Sequence, residues 1–301
     1  MTTATMTATA PDLAGYWRTE LANLRELRAR APGVTYRDWQ PTKWQSLRRL
    51  LDRAFAHCAD QGASPRSAIE LGCGSATLSI KLARRGVTVT GVDKVEDALD
   101  LARECCHGLP LPESPRFVQG DFLTDPLTDA VAPADIVLSG GVIEHWDADG
   151  QREALQAHID LSKRWVLVTV PNLDSPVFQS FLHWAEATGR LYEDEHFDIS
   201  VPELAEQTGC EVALVDGCRI FLPKAEHYDG SDAELDDFNA ELRSRLVAAG
   251  GPRYGAFPEM SFTADDIDVL HAVEEAASVE ERMHFGFLHY YLLDAGPARA
   301  G

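Results

Sequence analysis

Three carboxylates, two glycines and one histidine have the spacing of a small-molecule site. Glu70 stands just ahead of Gly72 and Gly74, and Asp93 and Asp121 close the next two apolar runs. Glycines at the end of a short apolar run let the backbone reverse sharply and lie against a ligand, where a side chain would collide. The helix start behind them offers free N–H groups. A fourth run ends at Ser139-Gly140-Gly141, and Val142-Ile143-Glu144-His145-Trp146 follows. Histidine titrates near neutral pH, so His145 could take a proton from a phenol, a carboxylic acid or an ammonium group. Its plainer role, with Glu144, is to brace the loop.

The elements that must position these residues are legible. Ile69 and Leu71 make a short strand. Leu78, Leu82 and Ala83 then recur at helical spacing, and Arg84-Arg85-Gly86 stops that helix. Further strands are expected over Val87–Asp93, at Phe117-Val118, and over Asp135–Ser139 and Arg164–Val170. A helix carrying Val95, Ala98, Leu99, Ala102 and Cys106 separates the second strand from the third. Near-continuous apolar strands alternating with helices indicate a parallel sheet covered on both faces. In such sheets ligands bind outside the carboxyl ends of the strands.

The acid at position 70 narrows the ligand. A dinucleotide pyrophosphate would be repelled by a carboxylate so close, and Thr77 stands where the dinucleotide fingerprint wants its third glycine. S-adenosylmethionine carries an ammonium and a sulfonium and no phosphate, so an acid suits it.

Glu70-Leu71-Gly72-Cys73-Gly74 resembles the first motif of the class I S-adenosylmethionine-dependent methyltransferases, although Ala76 stands where a further glycine is common. The resemblance covers roughly Ser67 to Val215. It implies a doubly wound, mostly parallel seven-stranded sheet and S-adenosylmethionine as cofactor. It also implies that Glu70 positions the ammonium and that Asp93, with Lys94 beside it, meets the ribose hydroxyls. Asp121 would take the adenine amino group with Phe122 by the base. Gly72, Cys73, Gly74, Ser139 and Gly140 would hold the methionine portion. Gly141-Val142-Ile143-Glu144-His145 is similar to a run in many small-molecule methyltransferases, so Glu144 and His145 are the catalytic candidates. The implied activity is methyl transfer to oxygen or nitrogen of a small molecule. The rivals are non-methyl chemistry on the same cofactor, such as cyclisation of its aminobutyl chain, and a catalytically silent partner protein of the same fold.

Around this core the chain divides further. Residues 1–11 read as a disordered tail, and 12–60 hold two helices, the first capped by Asp12 with Leu13, Trp17, Leu21 and Leu24 as its stripe. These helices either pack on the sheet or fold over the cofactor. Residues 61–216 and 284–296 form the α/β core, with a helix over Ser175–Thr188, another over Val201–Thr208, a strand at Glu211–Val215 and a last one at Phe285–Leu293. Residues 217–283 read as an inserted cap with helices over Asp232–Ala249 and Thr263–Arg282. Tyr16, Tyr36, Trp39 and Tyr290 are weaker candidates for lining a substrate pocket.

Composition sets outer bounds. The chain has 301 residues, 45% of them hydrophobic, enough for a large core. Its net charge of −21 would repel phosphate backbones, which argues against nucleic acid. No apolar run approaches the ~20 residues of a membrane span, so no membrane partner is expected. The six cysteines form no Cys-x-x-Cys pair, and without an export signal a cytoplasmic, reduced state is expected. His183, His196, His227, His284 and His289 lack ligand spacing, so no metal is expected. Nothing in the sequence speaks to oligomeric state.

Overall fold

The computed structural model describes residues 13–124, 127, 130–188, 198–222, 224–228, 230 and 232–296. The expected tail, the cap residue Asp12 and His196 lie outside them. In chain order the elements are α1 (Leu13–Arg30), α2 (Tyr36–Trp39), α3 (Pro41–Asp60), β1 (Ser67–Leu71), α4 (Thr77–Ala83), β2 (Thr88–Asp93), α5 (Glu96–Cys106), β3 (Arg116–Gln119), β4 (Ala134–Gly140), α6 (Ala148–Asp160), β5 (Ser162–Pro171), α7 (Pro176–Ala187), α8 (Val201–Thr208), β6 (Glu211–Cys218), α9 (Ala233–Gly250), α10 (Ile267–Ala276), α11 (Val279–Phe285) and β7 (Leu288–Asp294).

The strands form one seven-stranded sheet in the order β3-β2-β1-β4-β5-β7-β6. Strands β1 to β5 pair in parallel, and β7 runs antiparallel between β5 and β6. The chain winds outward from β1 to β3, then returns to place β4 on the other side of β1. That reversal opens a crevice at the carboxyl ends of β1 and β4.

Strand alternation assigns the two faces. Ala68, Ile136, Leu138, Trp165 and Leu167 point to α3 and α4, packing on Leu47, Leu50, Leu51, Leu78 and Leu82. Ile69, Leu71, Val92 and Val137 point the other way, as do Val166, Val168 and Val170, which meet Ala154 and Leu155 of α6 and Val201 and Leu204 of α8. Glu70 shares the face of Ala68, so its carboxylate is buried towards α4.

Four expectations needed revision. Helix α6 was not anticipated; Asp147 caps it by accepting from the Gly150 N–H. The expected helix over Thr263–Arg282 is two, because Ser278 starts a new one with a capping box to Glu281. Strand β6 runs on to Cys218, and β7 begins at Leu288 because Phe285 still belongs to α11. Tyr290 lines no pocket: it has no exposed surface, packs in the core beside Leu292, and its hydroxyl lies 3.4 Å from Arg49 Nη1.

The inserted segment has its own core of Phe221, Phe238, Leu242, Leu246, Phe257 and Leu270. A buried ionic knot docks it on α3 and β6. Asp216 accepts from Arg49 Nη2 at 2.9 Å, from Arg282 Nε at 2.9 Å and from Arg282 Nη2 at 3.0 Å. Its Oδ1 also accepts from the Gly217 N–H at 2.8 Å. Burial pushes the Asp216 carboxyl up, but Arg282 and Arg49 outweigh it and hold it below the usual range. Removing the acid would leave the buried Arg282 guanidinium without its carboxylate and Arg49 with Glu275 alone. Asp216→Ala is therefore expected to lose about 3–5 kcal/mol, the usual cost of breaking a buried ion pair, read as a lower urea midpoint. A midpoint equal to that of the parent protein would show that solvent reaches the knot.

Candidate active site

The turn after β1 is built from left-handed backbone. Gly72 has φ +64, Gly74 φ +48 and Ala76 φ +56. Ala76 thus adopts the conformation for which related turns use glycine, at a cost of roughly 1–2 kcal/mol. Neither glycine has room for a side chain. A Cβ on Gly72 would stand 2.6 Å from Val142 Cγ2, and one on Gly74 would stand 2.6 Å from Trp17 Cη2.

Asp93 holds the turn in place. Its Oδ2 accepts from the Gly74 N–H and its Oδ1 from the Val95 N–H, each at 2.9 Å. Each oxygen keeps a lone pair for a ligand hydroxyl. Burial raises its carboxyl, against the pull of these two donors. Glu70 Oε2 accepts from the Ser79 N–H at 2.8 Å and from Ser79 Oγ at 2.5 Å. Burial pushes the Glu70 carboxyl up to about 7, and the Ser79 bonds only partly oppose that.

The other strand ends meet this turn. Gly120 N–H bonds the Asp93 carbonyl at 3.1 Å, which brings Asp121 beside it; Asp121 Oδ1 accepts from the Leu123 N–H at 3.1 Å. Phe122 packs edge-on to Trp146 and His158, with centroids at 5.7 and 5.8 Å. Gly141 N–H bonds the Thr169 carbonyl at 2.9 Å, joining the ends of β4 and β5. Ser139 Oγ and Thr169 Oγ1 are buried there without a hydrogen-bond partner. Glu144 and His145 follow in a single 3-10 turn, Glu144 buried and His145 partly so.

The N-terminal segment closes over the turn. Trp17 lies on Gly74, and Tyr36 Oη is 3.2 Å from Ser75 Oγ. Trp39 stands edge-on to Tyr36 at 5.6 Å, and Tyr16 is 41% exposed. Sequence reading chose Tyr16, but its neighbour in the apolar stripe, Trp17, is the residue that reaches the turn. Cys73 takes part through backbone alone: its thiol faces Gly91 and Phe117, and burial pushes it well above the usual range. Lys94 is exposed, and its carbonyl accepts from Gln119. A surface cleft of about 670 Å³ lies at the opposite, amino end of the strands beside Arg66, Arg85 and Thr88. It has none of this chemistry. Among the described residues no group of three or more His, Cys, Asp and Glu side chains could hold a metal.

Two buried acids, a bare glycine cradle and two unpartnered hydroxyls suit a ligand with an ammonium group, hydroxyls and no phosphate. Residues 68–164 match the model of the methyltransferase domain family. About a third of the chain thus resembles a methyltransferase domain. The release factor glutamine methyltransferase of Chlorobaculum tepidum is 38% identical over 31% of this chain and 32% of its own length. The mitochondrial ubiquinone biosynthesis O-methyltransferase of Arabidopsis thaliana is 35% identical over 35% of this chain and 33% of its own. The chain thus spans about a third of the length of these relatives. Magnesium protoporphyrin IX methyltransferase of Synechocystis PCC 6803, solved with S-adenosylhomocysteine, is 19% identical over 68% of this chain and 91% of that one, with a TM-score of 0.47. The strand-end chemistry fits S-adenosylmethionine.

The raised Glu70 carboxyl has a consequence for binding. Below its ordinary 4.5 it is protonated whether the chain is folded or not, and between there and about 7 the folded protein keeps a proton that the unfolded chain releases. Stability from this group is therefore full at low pH and lost as pH rises through about 7. An ammonium ligand favours the ionised form, so its affinity should run the other way. S-adenosylhomocysteine affinity is expected to rise from pH 5.5 to 7, by up to ~10-fold per unit, and Glu70→Gln should flatten the profile. Calorimetric titration that finds the parent profile already flat would remove Glu70 from the ammonium site.

Proposed function

We propose that the protein transfers a methyl group from S-adenosylmethionine to oxygen or nitrogen of a small-molecule acceptor. The observation that carries this reading is the Gly72–Gly74 cradle between Glu70 and Asp93, inside the segment that matches the methyltransferase domain. The names of the relatives, one a glutamine methyltransferase and one an O-methyltransferase, agree with the reaction class.

When bound, the cofactor supplies a methyl group on a sulfonium, already an excellent leaving group. The chain's own task is then largely to position and to exclude water. Glu70 would meet the ammonium, Asp93 the ribose hydroxyls, and Asp121 and Phe122 the base. Ser139 and Thr169 stand at the ends of β4 and β5, where their buried hydroxyls lack partners. Trp17 and Tyr36 would shield the site from the N-terminal side. His145 would accept the acceptor's proton as the oxygen or nitrogen takes the methyl, with Glu144 orienting the loop.

Methyl-labelled cofactor tests the reaction itself: label should appear in a second molecule of 14 Da greater mass per transfer. Label retained in methylthioadenosine would mean that the cofactor's own side chain reacts. For His145, His145→Ala is expected to lower turnover by ~10²–10⁴ and leave cofactor affinity unchanged. The pH–rate profile should also lose its limb near the histidine pKa. Loss of cofactor affinity and stability together, with the profile unchanged in shape, would make His145 a brace instead.

A further inference from the structure

Arg219 follows β6 directly, at the same, carboxyl end of the strands as the glycine cradle. Among the described residues only Ala76 and Arg219 are non-glycines with positive φ, Arg219 at +65. Ala76 belongs to the cofactor turn. Arg219 has no part in any interaction described so far, and a non-glycine in this conformation is strained. The backbone is pinned from both sides. Its N–H donates to the Glu274 carboxylate, and its carbonyl accepts from the Phe287 N–H at 3.1 Å.

The guanidinium carbon lies 4.3 Å from the centre of the Phe287 ring. Burial acts on it most strongly, and after burial the charges of Tyr36, Cys218, Tyr16 and Glu274, none of them a cation. Tyr36 in turn touches Ser75 of the cradle. Phe287 also accepts, through its carbonyl, from the Asn172 N–H at the end of β5. Arg219 therefore stands between the cofactor turn and the ends of β5 and β6.

Its charge is uncompensated. Asp and Glu outnumber Lys and Arg by 48 to 27, and Arg49, Arg103, Arg164, Arg245 and Arg282 all pair with carboxylates. Arg219 has no such pair among the described residues, and its Nε is buried without a hydrogen-bond partner. Glu274 lies near enough to serve, yet its oxygens accept from Gln45 Nε2 and from the backbone N–H groups of Arg219 and Ile220. Burial pulls the guanidinium below its ordinary range. A half-buried fork with an empty donor edge is costly unless a ligand completes it.

We propose that Arg219 is the anion clamp of the acceptor site, and that the methyl acceptor carries a carboxylate. A single guanidinium over the Phe287 ring matches a monoanion on an aromatic or apolar body; a phosphate dianion would call for a second cation. The clamp rests on the methyl-transfer reading, since it places the acceptor beside the cofactor turn. It would select acceptors by charge and leave the reacting atom to the loop after β4.

The test uses the full chain labelled with [15N]arginine, loaded with S-adenosylhomocysteine. The Arg219 Nε–Hε resonance is assigned by its loss in Arg219→Lys. Sodium benzoate and the neutral benzamide are titrated at constant ionic strength. Saturable movement of that resonance by benzoate, with at least tenfold weaker response to benzamide, is expected. Arg219→Gln should lose the preference for benzoate while holding S-adenosylhomocysteine within twofold of the parent affinity. Equal response to both probes, no response, or a preference that survives in Arg219→Gln would overturn the clamp. Failure of the parent protein to bind S-adenosylhomocysteine would instead overturn the methyl-transfer reading, so the two failures are distinct.

Discussion

The hydrogen bond from the Gly74 N–H to the Asp93 carboxylate is the contact on which the site depends. It joins the turn after β1 to the end of β2 and holds three residues in left-handed backbone. The strained Ala76 among them persists only where its surroundings over-determine it. Here Val142 presses on Gly72 from the β4 side, and Trp17 covers Gly74 from α1. The sheet order sets the rest: β2 and β4 flank β1, so their terminal loops must converge on that turn.

What could be read from the chain beforehand follows from how local each signal is. The strands of the parallel core announce themselves because both of their faces are buried, which gives continuous apolar runs such as Asp135–Ser139. The cradle was legible because glycine and an acid at fixed spacing have few other uses. Helix α6 hid behind a weak stripe, because two of its four buried residues, Gln151 and His158, are polar and only Ala154 and Leu155 are apolar. Its signal was Asp147 as a cap followed by good helix formers. The break at Ser278 was visible as a capping box but was absorbed into a longer periodic run.

Side-chain destinations were harder, because they depend on partners far away in the chain. Tyr290 and Tyr36 look alike in sequence. One is sealed beside Arg49 in the core, and the other reaches Ser75 at the cradle. Arg219 carries no local signature at all. Its role emerges only when Glu274, distant in sequence, is seen to satisfy the backbone and leave the guanidinium unpaired. The same insertion that supplies Glu274 supplies Arg282 to the Asp216 knot. The segment that sets the insertion on α3 and β6 is thus also the one that fixes where β6 ends and how Arg219 is aimed.

A crystal structure of the protein with S-adenosylhomocysteine is the most direct measurement. The expected result has the ribose hydroxyls on Asp93, the amino group towards Glu70 and the backbone of Gly72–Gly74 along the ligand, with Trp17 against it. A ligand bound away from this turn, or a turn still filled by Trp17 while the ligand sits elsewhere, would contradict the assignment of the strand ends as the cofactor site.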